Sequence, residues 1–176
     1  KTKQIKEGNM KIYTIIAGVN GVGKSSFFGV LCAIRSDVGN LIDENQINSS
    51  IEKGINFTQK TTLSGSKTLR TIKQAREHDY YIRLYYIGVN SAQESIKRIS
   101  NRVEKGGHDI PTEDVLRRYN KRFDDLIAVL PYCNEVKFYD NENGFVEKAE
   151  YKNGMLIFKG NNIPDWLKEL ENKLEN

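Results

Sequence analysis

The chain holds only 2 cysteines in 176 residues, Cys32 and Cys133, far apart and with no histidine beside either. A disulfide framework and a Cys/His zinc site are both excluded by that spacing. Cys32, set among Val30, Leu31, Ala33 and Ile34, is expected to pack in the core. No apolar run approaches the roughly 18 residues that a membrane helix needs. The first ten residues, Lys1 to Met10, are polar and basic with no secretory apolar stretch. The expected setting is therefore cytoplasmic, away from any membrane, and Lys1–Met10 reads as an N-terminal arm or a cloning remnant. Internal repeats and low-complexity linkers are missing as well. With 38% apolar residues, 28% charged residues and a mean hydropathy of −0.59, one soluble domain over 11–176 is the simplest division.

Charge is present in small excess and is unevenly placed. The formal net charge is +4. Between positions 97 and 122, eight cations (Lys97, Arg98, Arg102, Lys105, Arg117, Arg118, Lys121, Arg122) face four carboxylates (Glu104, Asp109, Glu113, Asp114), so this one segment carries as much excess as the whole chain. An anionic partner is implied, and a small phosphorylated molecule competes with nucleic acid for that role.

Ile12 to Ala17 is short and rich in β-branched residues, as suits a strand buried on both faces of a parallel sheet. It runs into Gly18-Val19-Asn20-Gly21-Val22-Gly23-Lys24-Ser25, a complete GxxxxGK[ST] loop, and then into Ser26-Phe27-Phe28, the start of a helix. Strand, glycine loop and helix in this order form a phosphate cradle. Glycines let consecutive amides turn inward, the helix start adds its positive end, Lys24 reaches the β- and γ-phosphates, and Ser25 offers a hydroxyl to Mg²⁺. Gly18, Asn20, Gly21, Val22, Gly23, Lys24, Ser25 and Ser26 are the candidate nucleotide contacts, with ATP and Mg²⁺ as cofactors.

Later elements alternate. Leu41-Ile42, Ile55–Leu63, Tyr80–Ile87 and the Val136/Phe138 region read as strands. Leu69/Ile72/Ala75, the helix capped by Ser91 and Glu94, and the helix opened by Pro111 and stopped by Pro131 lie between them. Asn143-Gly144 and Asn153-Gly154 suggest a small antiparallel appendage over 143–160, followed by a helix over 162–175. The expectation is a three-layer α/β P-loop domain, kinase-like, with a mostly parallel sheet. Tyr80, Tyr81, Tyr85 and Tyr86 read as sheet packing rather than base stacking, and His78 as a surface residue.

No apolar strand ends in an acid except Phe138-Tyr139-Asp140, which tells against GTPases and motor ATPases. The segment 97–122, two helices around Gly106-Gly107-His108-Asp109-Ile110-Pro111, suits a basic lid that closes over a triphosphate. His108 within it is either a phosphate contact or a hinge-fixing residue.

Three stretches together carry a resemblance: Ala17 to Ser25, Thr61-Thr62-Leu63-Ser64-Gly65, and Arg98 through the Gly-Gly-His-Asp-x-Pro turn to Arg117-Arg118-Tyr119. Over about positions 11 to 150 the chain resembles the zeta-toxin-like P-loop kinases, nearest to an uncharacterised bacterial branch once described as predicted ATPases. The resemblance implies ATP-dependent phosphorylation of a hydroxyl on a small molecule, UDP-N-acetylglucosamine in the toxins, and an antitoxin partner. It assigns phosphate and Mg²⁺ roles to Lys24 and Ser25, and the grip on the moving phosphoryl group to Arg102 and Arg118. Asp43, Asn45, Thr61, Thr62 and His108 fall at the acceptor side, with Asp43 as the remaining candidate base.

Departures from the family are specific. Asn45-Gln46 stands where relatives carry Asp and often Glu, and an amide cannot take a proton at neutral pH. Lys60 replaces a common Glu. The stretch from Gln46 to Glu52 is short by about a helix, so part of the acceptor site is lost or residues near position 48 are missing. Two other readings therefore stand beside the kinase: an ATP/GTP-binding protein with a degenerate acceptor site, and a polynucleotide end kinase.

Overall fold

A computed structural model describes residues 9–176, so most of the expected N-terminal arm lies outside the described residues. In chain order, β1 (Ile12–Ala17) leads to α1 (Lys24–Ile34), β2 (Asn40–Leu41) to α2 (Glu44–Lys53), and β3 (Phe57–Thr61) to α3 (Lys67–Glu77). Next come β4 (Tyr81–Gly88), α4 (Ala92–Glu104), α5 (Thr112–Val129), a 3₁₀ turn, β5 (Glu135–Asp140), β6 (Val146–Lys152), β7 (Met155–Phe158) and α6 (Asp165–Glu175).

The seven strands form one sheet in the order β2-β3-β1-β4-β5-β6-β7. β1 pairs in parallel with β3 on one side and β4 on the other, and all six of its residues are buried. Helices cover both faces. Phe27 and Leu31 of α1 pack on Ile16, Tyr85 and Ile87 on one side. On the other, α2, α3, α5 and α6 bring Ile47, Ile72, Phe123, Leu126, Trp166 and Leu170 against Tyr13, Ile15, Leu84 and Phe138. Each of these large side chains contributes about 1.5–3 kcal/mol by leaving water. The expected three-layer α/β architecture is the one observed. Because the chain order reverses around β1, the loop after it opens at the switch point of the sheet, where doubly wound folds bind ligands.

Two expectations are corrected. The hairpin expected as an appendage is part of the main sheet: β6 pairs antiparallel with β5, and β7 with β6, through a turn in which Asn153 and Gly154 both have positive φ. Pairing with β6 removes the open edge that β5 would present. Cys32 is exposed, since the α1 face that meets the sheet carries Phe27 and Leu31, one turn apart, and Cys32 points away from it. The stretch from Gln46 to Glu52, expected to be short beside its relatives, lies within one unbroken ten-residue helix, Glu44–Lys53. Gln46 closes its first turn, accepting from the Asp43 amide at 3.0 Å, so the amide that looked like a lost acid completes a helix cap. The tyrosines behave as expected: Tyr80, Tyr85 and Tyr86 are buried and Tyr81 is half-buried.

Candidate nucleotide-phosphate site

The loop after β1 owes its shape to particular glycines. Gly18 has φ 145°, and a Cβ there would stand 2.4 Å from the Ile87 carbonyl oxygen, so no side chain fits. Gly23, left-handed at φ 98°, is the N-cap of α1 and supplies no side chain to the first-turn amides, which also lack a neighbouring acid. Amides left open in this way at the start of an 11-residue helix are anion donors. Lys24 folds back over the loop, its Nζ donating to the carbonyls of Gly18 at 2.8 Å and Val19 at 2.9 Å.

Several cations converge on that ammonium. Burial first, then the charges of Lys60, Arg102 and Arg118, pull the Lys24 pKa down to about 7. Arg118, on α5, donates from Nη1 to Asn20 Oδ1 of the loop at 3.0 Å, while its Nε is buried with no partner. Arg102, at the end of α4, holds the Gly-Gly-His turn, donating to the His108 carbonyl at 2.6 Å.

In the rest of the basic segment three arginines have carboxylate partners, while Lys97, Lys105 and Lys121 have none among the described residues. Arg98 pairs with Glu94 at 2.5 Å, Arg117 with Asp114 at 2.7 Å, and Arg122, buried and stacked on Tyr119, with Glu169 at 2.6 Å. Among the described residues Lys24, Lys60, Arg102 and Arg118 have no carboxylate within ion-pair distance. A cluster of four like charges on one loop carries a repulsion that an anion would relieve.

Ser25 is occupied in an unexpected way: Lys60 Nζ, from β3, donates to its Oγ at 2.7 Å. Asp140, the acid at a strand end, is committed elsewhere, accepting from the Trp166 indole at 2.8 Å and from the Glu142 amide at 3.3 Å. Among the described residues no group of three His, Cys, Asp or Glu side chains is placed to hold a metal. Mg²⁺ asks for near-octahedral oxygen ligands, usually including a carboxylate. An ammonium on the one hydroxyl offered, with no acid beside it, does not fit that ion.

The acceptor-side residues are less unified. Asp43 and Asn45 are exposed at the start of α2, after the edge strand β2. Thr61 is spent on the turn after β3: its Oγ1 accepts from the Leu63 amide at 2.9 Å and pairs with Thr68 at 3.2 Å, holding Leu63 at φ 61°. Thr62 pairs with Ser64 at 3.0 Å. His108 is exposed and contributes its carbonyl, not its ring, to the Arg102 contact. Val22 is buried and Ser26 exposed in the first turn of α1.

Two residues passed over in the sequence belong to the neighbourhood. Asn141, just after β5, donates from Nδ2 to the Val22 carbonyl at 2.8 Å, and its own backbone carbonyl accepts from Arg98, tying the glycine loop to α4. Asp125 lines a cavity of about 320 Å³ with Ser64, Gly65, Arg117, Arg118 and Lys121. Burial raises its pKa, with the Gly65 amide and Lys121 acting in the other direction. Its signal was the spacing of Arg118, Lys121 and Asp125, three to four residues apart on one helix face.

A chain of the PezAT chromosomal toxin-antitoxin system of Streptococcus pneumoniae matches this structure with TM-score 0.59 and 13% identity, over 80% of this chain and 73% of that one. The likeness is one of fold: a mixed α/β domain with a mostly parallel sheet. AvrRxo1-ORF1:AvrRxo1-ORF2, solved with sulphate ions and again with ATP, has a chain that matches at TM-score 0.60 and 13% identity, over 97% of this chain and 66% of that one. These likenesses show a shared fold and leave the chemistry to the residues. No family model matches the chain. An uncharacterized protein of Haemophilus influenzae is 39% identical over 70 residues, 40% of this chain, and the match spans half the length of that relative.

Proposed function

We propose that the chain is an ATP-dependent phosphotransferase that moves the γ-phosphoryl group to a hydroxyl of a small molecule. The observation that carries this reading is the set of four cations without carboxylate partners around the open amides of the glycine loop. A triphosphate has the charge and size to satisfy all of them. Three other arginines of the same segment are already paired, which favours a compact anion over a polynucleotide. ATP bound to the AvrRxo1-ORF1:AvrRxo1-ORF2 complex supports ATP as the donor.

In this reading the acceptor oxygen attacks the γ-phosphorus in line, the bond to the β–γ bridging oxygen breaks, and ADP leaves. Lys24, Arg102 and Arg118 hold charge on the transferring group, and catalysis is positioning and electrostatics. The acceptor's proton goes to a carboxylate. Asp125, whose pKa burial has raised and whose cavity it shares with Arg118, is better placed for that than the exposed Asp43. The resemblance to zeta-toxin-like kinases makes a nucleotide sugar such as UDP-N-acetylglucosamine the first acceptor to try. With the PezAT likeness, it also makes an antitoxin protein the partner to seek.

Coupled detection of ADP release over a panel of sugars and nucleotide sugars tests the proposal. Turnover with one acceptor is expected, lost in Lys24→Ala and reduced in Asp125→Asn. Activity indifferent to Lys24→Ala would defeat it. A second reading, nucleotide binding without transfer, is favoured by Asn45 at the family's acid position and by Lys60 on Ser25. It requires calorimetric ATP binding with no ADP release on any acceptor.

A further inference from the structure

We propose that the Lys60 ammonium takes, at Ser25, the place that a P-loop domain ordinarily gives to a divalent cation, so that this site holds a nucleotide's polyphosphate without Mg²⁺. The inference rests on the nucleotide-binding reading and adds to it the ionic form of the ligand: free nucleoside triphosphate rather than its metal complex.

A serine hydroxyl has one proton to donate and two lone pairs. Lys60 Nζ, at 2.7 Å, uses a lone pair of Ser25 Oγ, the type of electron pair a metal would need. A Mg²⁺ ion bonds oxygen at about 2.0–2.1 Å, so one seated on Ser25 would lie within close range of a like-charged ammonium. Among the described residues no carboxylate lies within ion-pair distance of Lys60 to offset the clash. Asp140 is held by Trp166 and the Glu142 amide, and Asp43 lies beyond β3 at the exposed start of α2.

Geometry also makes Lys60 a competent substitute. Its strand neighbours β1 directly, with Lys60 opposite Ile16, one residue before the strand runs out into the glycine loop. The ammonium therefore enters from the sheet side while Lys24 enters from the helix side, and its charge is already felt at Lys24. Bound phosphate oxygens would meet two ammoniums and two guanidiniums, four positive charges against the four negative charges of fully ionised ATP. Mg²⁺ carried on the nucleotide would add two more to a site already balanced.

Isothermal calorimetry with ATP on the whole chain, in EDTA and in excess MgCl₂, tests this on wild type, Lys60→Gln and Lys60→Glu. Wild type is expected to bind at least as tightly in EDTA as with Mg²⁺. Lys60→Gln should lose about tenfold in EDTA, the cost of one charge-assisted hydrogen bond. Lys60→Glu should bind only with Mg²⁺, because a carboxylate then stands beside the Ser25 hydroxyl. Thermal melts in EDTA confirm that each variant folds. Wild-type binding that requires Mg²⁺ would overturn the inference and leave the nucleotide site standing. No ATP binding in either medium would overturn both.

Discussion

Arg83, within β4, and Lys24, at the start of the helix that follows β1, are treated in opposite ways. Arg83, on β4, is 2% exposed and donates to both Asp37 oxygens, at 3.1 and 3.0 Å, and to Glu135 at 3.3 Å, with Arg35 completing the group. Every charge there has an opposite charge beside it. Around Lys24, at the other end of the parallel strands, the cations have only carbonyls, an amide oxygen and a hydroxyl. The first set is a closed ion network within the sheet; the second, if the proposed nucleotide site is right, is closed only by a bound anion.

The comparison would break if substitutions at the two ends had the same kind of effect. Lys24→Ala should lower ATP affinity by several hundred-fold, about 3–4 kcal/mol for two charge-assisted hydrogen bonds to phosphate. It should leave the melting temperature of the free protein unchanged or raised, because it removes a charge crowded by three others. Calorimetry and a thermal melt on the same sample read both.

Asp37→Asn should do the reverse, costing about 3 kcal/mol of stability by leaving Arg83 short of charge in the sheet, with ATP affinity unchanged. The pH dependence has a definite sign. Hydrogen bonds from Arg35, then Arg83, hold the Asp37 carboxyl well below the usual carboxylate range. Its stabilisation is therefore complete above the unfolded pKa of about 3.9 and is lost as pH falls below it. Urea titrations between pH 3 and pH 7 should show a steep acid loss in wild type and a flatter one in Asp37→Asn.

A finer cut separates arginines within the basic segment. Arg118→Ala should reduce ATP affinity by about tenfold and leave stability nearly untouched, since it abandons one amide contact and a buried Nε without a partner. Arg122→Ala should destabilise the fold by removing a buried guanidinium that stacks on Tyr119 and Phe123 and pairs with the half-exposed Glu169. Side-by-side melts and calorimetry decide whether charge in this segment is functional residue by residue, or only in sum.

These distinctions show where sequence reading stops. The strand, glycine loop and helix were legible because each glycine answers a local need and each apolar run has the period of its element. Arg118 and Arg122 were not separable, since both are arginines on one helix, and what divides them is Glu169, 47 residues from Arg122 along the chain. Lys60 could be read as a replaced acid, but its contact with Ser25 depends on β3 lying beside β1. Gln46 looked like a lost acid because family position suggested chemistry, while Asp-x-x-Gln spacing at a helix start was already a cap signal. Local hydrogen bonding was visible in the sequence; partners supplied by tertiary pairing were not.

The mildest consequence of the crowded end is a protonic one. With the Lys24 pKa near 7, much of that side chain is neutral in the free protein at pH 8. Phosphate oxygens favour the ammonium, so binding must raise this pKa and draw a proton from solvent, about one per site at pH 8. Affinity should accordingly fall roughly five-fold between pH 7 and pH 8, as the free protein gives up the charge that binding restores. Calorimetry of ATP at pH 8 in phosphate and in Tris, whose ionisation heats differ widely, reads the uptake directly. Arg118→Ala, by removing one of the charges that depress Lys24, should lessen it. Identical heats in the two buffers would mean that Lys24 stays charged in the free protein and that burial and its cationic neighbours do not strip its proton at pH 8.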